Sequence, residues 1–536
     1  MYDTIIKNGK IIDGTGNPWY SSDIRIRNGK IAKIAPHLKG DREIDATKMV
    51  ICPGFIDMHS HTDFILPFFN TMDSFIRQGI TTCVVGMCGS SLAPIHPEKV
   101  EEFKRDASTF IPLFKDIDIT WHTFTEYVEE MGNMKIPGNL VLVVGYENIR
   151  IAGGAGHENR LPTSKELNRM KELVKEAMEA GAFGMSTGLI YAPQVYVSTE
   201  EIIELAKVVA AYDGLYFSHI RDEGKRLVEA VKEFIRIVEE SKCRGGQIAH
   251  LKASGKPFWG ASIEVLQIIE EANDRGINVT CDSYPYNRGC SSLVTALPPW
   301  AREGGHEKIM ERLQNPEDRE RIKREITQGV ESERWENWIG VNGFDRLYVA
   351  LVNTEKWRDT IGKNISEITI LKGKSDEWET FFELLIDEEL GVSITLETMD
   401  EEDIRQIMTS RYQMVGTDGM GMPKTSVLPV SHPRFCGTFP RILGRYVREE
   451  KVLALEDAIR KMTSFPAQRL GLQDRGLLKE HMWADVVIFD PETVIDTATY
   501  EEPDRFPEGI HYVMINGETV VENGKQMKRY PGKVLR

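Results

Sequence analysis

The chain has 536 residues, 41% of them hydrophobic, and a formal net charge of −16. That size supplies ample core without disulfides, and seven cysteines at positions 52, 83, 88, 243, 281, 290 and 436, an odd number, form no secreted framework and read as reduced thiols. The acidic balance argues against nucleic acid, whose phosphates need clustered Lys and Arg. With neither a basic-then-apolar leader nor a run of about 18 apolar residues, no membrane association is expected and the location predicted is cytoplasmic.

Residues 1 to about 50 alternate apolar and polar positions around Asn8-Gly9 and Asn28-Gly29, each of which predicts a hairpin. The far end answers with Ala484-Asp485-Val486-Val487-Ile488-Phe489 and two more Asn-Gly pairs, Asn516-Gly517 and Asn523-Gly524, so the two ends should pair into one small β domain. Between them short apolar runs alternate with amphipathic ones, as in parallel βα units. Strands are predicted at 54–58, 80–86, 140–146, 182–187, 214–219, 246–251, 277–282 and 412–417, and eight such strands suggest a closed barrel. Helices are predicted from Ser164 to Ala180, with a capping signature and a terminal Gly181, and from Ser198 to Ala211. The alternation breaks over about 288–400, which is too long for a loop and reads as an inserted subdomain.

In a βα barrel, chemistry sits where the strands end. The first predicted strand ends in His59-Ser60-His61, whose imidazoles would share one side of a strand, roughly 6.5 to 7 Å apart. Cys88 follows the second strand, His219 ends the fifth, His250 ends the sixth and Asp418 follows the last. Thiol, imidazole and carboxylate, the three classes of zinc ligand, would thus converge on one rim. Each residue alone has an ordinary role, as a core histidine, a buried thiol or a turn aspartate in Thr-Asp-Gly. Five such accidents at five strand ends are improbable together.

These residues resemble a known family. GFIDMHSH is similar to the GFID-x-H-x-H signature of the amidohydrolase superfamily, and GMCGSSLAP, STGLIYAP, SHIRDEG, AHLKASG, DSYPY and GTDGM together resemble the N-acyl-D-amino-acid deacylases (D-aminoacylases) over nearly the whole chain. The resemblance implies an α/β fold, a distorted (β/α)8 TIM-type barrel over 53–469 with a small β-sandwich from 1–52 plus 470–536. It implies one tightly held Zn2+ on Cys88, His219 and His250, a weaker second position near His59 and His61, and a catalytic Asp418. The expected partner is a small N-acyl amino acid. Oligomeric state is left open.

The chemistry of the residues agrees with these roles. A thiolate and two imidazoles leave one position of a tetrahedral zinc open, as in catalytic sites, and Asp418 would take the proton of the attacking water and pass it to the leaving amine. The free carboxylate of such a substrate needs a cation and hydroxyls. Lys252, Tyr191 and Tyr284 match the family positions for that job, and Ser291 or Ser292 is the candidate serine contact. Arg221 is expected either to orient the carboxylate or to pair with Asp222. A pocket for the substrate side chain is expected from the insert. Leu293 and Trp300 lining it would favour Met, Leu or Phe, whereas Arg288 or Arg302 would favour acidic side chains; the apolar lining is expected, since no basic cluster stands out there. The alternatives are a cyclic-amide hydrolase of the hydantoinase or dihydroorotase type and a non-catalytic scaffold of the same fold. The first commonly bridges two metals with a carboxylated lysine, a role for which Cys88 stands here.

Overall fold

The structure, a computed structural model, describes residues 3–330, 335–424 and 428–536. Its centre is a parallel barrel. Strands Phe55–Asp57, Ile80–Val85 and Asn139–Leu142 pair in register, as do Val144–Gly145, Gly184–Gly188, Leu215–His219, Gly245–Ile248, Val279–Ser283 and Gln413–Val415. The two sets join across Val143, whose N–H donates to Val85 at 3.0 Å, while Phe183 donates to Leu142 at 2.9 Å. Closure comes at the other seam, where Met58 donates to Val415 at 3.1 Å and Ser60 bridges to Gly419. Three residues of strand at each side of that seam suffice because Asp57 fastens it. Its carboxylate accepts from the backbone N–H of Thr417 at 2.8 Å, from the Thr417 hydroxyl at 2.6 Å and from the N–H of His59 at 3.1 Å.

The strands are buried on both faces, as parallel strands under helices must be. Period-two alternation sends Leu215 and Phe217 into the barrel with Ile56, Met58, Val84, Val141 and Met414, and Tyr216 out to the helical layer against Phe234. The helix Ser164–Glu179 starts where the sequence places it: the Thr163 hydroxyl accepts from Glu166 N–H, and the Glu166 carboxylate returns to the Thr163 N–H. Ser198 caps Thr199–Ala210 in the same manner on one side only. Among the described residues no helix is long and apolar enough to cross a membrane.

The small domain is a sandwich. A four-stranded sheet (Lys30–Ala35, Asp23–Arg27, Thr4–Lys7, Arg42–Asp45) faces a seven-stranded one in which Val50–Pro53 pairs antiparallel with Val486–Phe489, uniting the two ends of the chain. Ile6, Ile24, Ile26, Ile31, Ile51, Val486 and Ile488 fill the space between. Asn28-Gly29, Asn516-Gly517 and Asn523-Gly524 turn hairpins, with positive φ at both residues of each pair. Asn8-Gly9 does not, contrary to expectation. Only Asn8 has positive φ, and the turn carries the chain from Thr4–Lys7 in one sheet to Lys10–Ile11 in the other. Gly9 is required there by space, since a Cβ would lie 2.5 Å from Ile51 Cδ1.

Within 288–400 lies a three-stranded antiparallel sheet, Arg288–Ser292, Ser393–Glu397 and Leu347–Leu351, backed by helices Gly305–Gln314, Pro316–Gln328, Ile365–Leu371 and Glu377–Asp387. It has its own apolar core around Leu293, Leu313, Leu347, Trp357, Phe381 and Ile394. Leu293 and Trp300, expected to line a substrate pocket, serve this unit instead. Leu293 is fully buried in its core, and Trp300 donates its indole N–H to Glu325 with Arg321 stacked on its ring at 3.8 Å. Arg288 is held between the rings of Tyr348 and Tyr500 and pairs with Glu397.

Candidate active site

At the C-terminal rim of the barrel, five predicted residues meet. His59 Nε2 lies 3.3 Å from Cys88 Sγ and 3.4 Å from Asp418 Oδ1, and Cys88 Sγ lies 3.6 Å from His250 Nε2. Ligand atoms of His59, Cys88, His250 and Asp418 all fall within 4.8 Å of one another, as do those of His219, Glu223 and His250. His250 belongs to both groups, so the rim holds one continuous constellation. His61 stands at its edge, Nε2 3.2 Å from Asp418 Oδ1, and its ring centroid is 5.4 Å from that of His59. The two histidines lie just past the end of the first strand, in a segment held by Ser60 N–H on Val84 O and His61 N–H on Gly419 O.

The backbone is forced at three of these positions. Cys88 (φ 54°), His250 (φ 30°) and Asp418 (φ 48°) sit in the left-handed region. Each such residue costs on the order of 1–3 kcal/mol and persists only where its surroundings dictate it. For Asp418 the N–H donates to His59 O at 2.7 Å, and for His250 the N–H donates to Asp282 Oδ1 at 2.8 Å. The strain turns the three side chains towards one point.

Electrostatics suit a metal. Burial pushes the Cys88 thiol up, but the imidazoles of His59, His219 and His250 outweigh it and hold the group well below the usual thiol range, so that sulfur is a thiolate donor. His219 is 4% exposed, burial lowers its pKa, and neither ring nitrogen has a hydrogen-bond partner among the described residues. A neutral, buried imidazole with an unused lone pair is what a metal ligand looks like before it binds. Burial would raise Asp418, yet Arg434, His250, His59 and His61 keep it ionised. Around these donors stands a supporting layer, the feature that orients ligating histidines. Glu223 Oε1 lies 2.9 Å from His250 Nδ1, and Asp282 Oδ1 lies 3.3 Å from His59 Nδ1 while its other oxygen accepts from Gln247 at 2.9 Å.

Substrate candidates divide. The Tyr191 ring packs edge-on against His219 at 5.1 Å, and Tyr284 lies between two cations, Lys252 Nζ at 5.8 Å and Arg434 Cζ at 4.8 Å from its ring centre. The hydroxyls of Ser291 and Ser292 are buried, with no hydrogen-bond partner among the described residues. The ammonium of Lys252 is already engaged, 2.6 Å from Glu223 Oε1 and 2.7 Å from His250 Nδ1. Arg221 neither faces the centre nor pairs with Asp222. Its guanidinium binds Glu233 at 2.9 Å and the carbonyls of Val195 and Val197, while Asp222 accepts from the backbone of Gly224 and Arg226. Arg302 donates to the Ile190 carbonyl at 2.7 Å and is likewise structural in its contacts.

The residue missed in the sequence is Arg434. It is 3% exposed, its Nη1 lies 2.9 Å from Asp418 Oδ2, and its Nε has no hydrogen-bond partner among the described residues. A buried guanidinium with an unused donor beside Asp418 is a ready anion receptor. Glu223 and Asp282 were visible only as parts of SHIRDEG and DSYPY, and Arg434, in His432-Pro433-Arg434, had no signal of its own.

Comparison with known proteins bears on the same constellation. The Amidohydrolase family profile matches residues 385–521. D-aminoacylase of Alcaligenes xylosoxydans xylosoxydans is 31% identical over 100% of this chain and 97% of its own length, and N-acyl-D-glutamate deacylase of the same organism is 32% identical over 100% and 96%. The crystal structure of N-acyl-D-glutamate deacylase from Bordetella bronchiseptica, complexed with zinc and a phosphonate inhibitor that mimics the tetrahedral intermediate, superposes with a TM-score of 0.82 at 30% identity, covering 100% of this chain and 99% of that one.

Proposed function

The chain belongs to the N-acyl-D-amino-acid deacylase (D-aminoacylase) family of amidohydrolases, and on that premise we propose that it hydrolyses the amide of N-acyl-D-amino acids to a carboxylate and a free D-amino acid. The observation that carries this reading is the convergence of Cys88, His250, His59 and Asp418 within 4.8 Å, with the unpartnered His219 beside them. Thiolate and imidazole donors suit zinc, with Cys88, His219 and His250 as the tight set and His59 and His61 as a weaker second position. When bound, zinc supplies Lewis-acid polarisation of the amide carbonyl and a water acidic enough to attack at neutral pH.

The protein's own groups do the rest. Asp418, an acceptor at Oδ1 and held by Arg434 at Oδ2, takes the proton of the attacking water and returns it to the departing amine nitrogen, one carboxylate acting as base and then acid. Arg434, Tyr284, Tyr191 and the Ser291 hydroxyl bracket the α-carboxylate. Lys252 fixes Glu223, which in turn fixes His250. With carbonyl and carboxylate both anchored, inversion at the α-carbon swaps hydrogen for side chain and drives the latter into the wall, a mismatch worth roughly 1–3 kcal/mol. The test is a panel of N-acetyl-D- and N-acetyl-L-amino acids and hydantoins, with zinc content measured on the same sample. Turnover of the D series with little of the L series is expected. Equal kcat/KM for N-acetyl-D- and N-acetyl-L-methionine would refute the stereochemistry, and turnover confined to the cyclic amides would refute the reaction.

A further inference from the structure

Behind Arg434 stands a histidine that the chemistry above does not use. His432 is fully buried, two residues before Arg434 at the start of the helix Arg434–Arg441. Both of its ring nitrogens are committed. Nε2 lies 3.0 Å from the carbonyl oxygen of Arg288, which can only accept, so Nε2 carries the proton. Nδ1 lies 3.0 Å from the backbone N–H of Arg434, which can only donate, so Nδ1 is bare. One neutral tautomer satisfies both partners, and no second proton fits. Burial, then the Arg434 guanidinium, hold its pKa well below the usual imidazole range.

The simplest role for such a histidine is a helix cap, and the chain contains that case by itself. In His96-Pro97-Glu98, as in His432-Pro433-Arg434, the histidine Nδ1 accepts from the N–H two residues on, at 3.2 Å. There the ring is half-buried and caps the short turn Pro97–Lys99. His432 differs in two respects. The rings of Tyr500 at 5.2 Å and Tyr286 at 5.5 Å enclose it edge-on, and its second nitrogen reaches across to another structural unit.

That unit is the strand Arg288–Ser292, which opens the inserted subdomain. The insert has a core of its own, so the register of this strand against the rim depends on contacts across the junction. His432 Nε2 on Arg288 O is one. Tyr500 Oη, accepting from Arg288 N–H at 3.1 Å, and Cys290 Sγ, 3.6 Å from Ser431 Oγ, are others. A Cβ on Gly289 would lie 3.7 Å from the Tyr284 hydroxyl, and by period-two alternation Ser291 shares that face of the strand. From the rim, Arg434 brings its guanidinium to 4.8 Å from the Tyr284 ring centre, with Nε lacking a hydrogen-bond partner among the described residues. His432 is thus bonded to the main chain of both pieces that converge on Tyr284.

Resting on the deacylase reading, we propose that His432 is a positioning residue that, by using both ring nitrogens at once, holds Arg434 on the rim and Ser291 on the insert in register as two halves of one receptor for the substrate α-carboxylate. It acts through these neighbours rather than on the substrate. A charged hydrogen bond depends on the distance and angle of its donors, so releasing either tie weakens recognition of the carboxylate and little else.

The experiment keeps one bond at a time. Asparagine places an acceptor where Nδ1 stands, so His432→Asn retains the cap and loses the tie to Arg288. Glutamine reaches as far as Nε2, so His432→Gln retains the tie and loses the cap. In the zinc-loaded full-length enzyme each should raise KM for N-acetyl-D-methionine about tenfold with kcat within about threefold, and leave KM for N-acetyl-D-methioninamide, which lacks the carboxylate, within about twofold. His96→Asn should change none of these. Calorimetry with D-methionine and D-methioninamide on the same samples should show the same selective loss. Wild-type KM in either folded His432 variant, or equal losses for acid and amide, would overturn the proposal, and one variant decides if the other fails to fold. If no N-acyl-D-amino acid turned over, yet D-methionine binding fell in the variants while D-methioninamide binding held, the deacylase reading would fall and the positioning role would stand. A wild type that neither turned over substrate nor bound D-methionine would overturn both.

Discussion

Left-handed backbone occurs in two regions of this molecule for opposite reasons. At three hairpins of the sandwich it is found at Asn28, Asn516 and Asn523, each followed by a glycine that is also left-handed, so the residues themselves select the turn. At the barrel rim it is found at Cys88, which shares a tight turn with the left-handed Gly89 closed by Ser90 N–H on Met87 O at 3.1 Å, and at His250 and Asp418, which no left-handed glycine follows. At these last two the surroundings impose the conformation and the side chains gain a common focus with Cys88. The lesson is that a torsion angle reports function only when the residue type and the local turn fail to explain it.

Substitutions that separate the two cases should differ in kind. The largest effect is expected at the rim, where Cys88→Ala, His219→Ala and His250→Ala each remove one of the three ligands proposed for the tight zinc. Metal analysis after dialysis against a chelator should find the tight zinc gone together with activity, and a full equivalent retained by Cys88→Ala would refute the assignment. His59→Ala should weaken only the second position. Next comes Asp418→Asn, which keeps the shape and removes the base. Zinc content should be normal and kcat lower by about 10² to 10⁴, the usual contribution of a positioned acid or base; near wild-type turnover would end that role. Smaller again is Arg434→Lys, which keeps charge and loses the planar fork. It should raise KM for N-acyl amino acids by roughly tenfold to a hundredfold with less change in kcat, as expected when a bidentate carboxylate contact is lost, and an unchanged KM would remove Arg434 from the carboxylate site. The smallest effect belongs to the sandwich: Asn28→Ala, at a left-handed position that alanine resists, should cost about 1–2 kcal/mol in denaturant unfolding and leave kcat/KM untouched. A loss of activity there would mean that the two regions are coupled.

What was legible in the sequence followed from local rules. The eight barrel strands, the capped helix at Ser164–Glu179 and three of the four Asn-Gly hairpins all rest on period, cap and turn chemistry that neighbours in sequence decide. Asn8-Gly9 fails because its flanking strands join different sheets, a choice made by tertiary pairing with Val50–Pro53 and Arg42–Asp45. At the site, the groups His59, Cys88, His219, His250 and Asp418 could be read from strand ends. The contacts of the arginines could not. Arg221 had an acid beside it in sequence and found Glu233 in space, whereas Arg434, with no acid beside it in sequence, found Asp418 at the start of the same connection after the last barrel strand. Charged side chains are long, and their partners are set by packing of distant elements. Leu293 and Trp300 mislead for a related reason, because an insert with its own core draws its apolar residues inward.

That separate core has a consequence for how such an enzyme can change. The metal constellation hangs from strands packed around Ile56, Val84, Phe217 and Met414, and the inserted subdomain hangs from a separate cluster around Leu313, Trp357 and Phe381. Substitutions in clusters that share no contacts add rather than interfere. The core of the insert can therefore be redrawn with little effect on the barrel strands, except through Ile190 and Tyr191, which pack against it beside His219. Diversification of substrate range and preservation of chemistry become separate problems, solved in separate parts of one polypeptide.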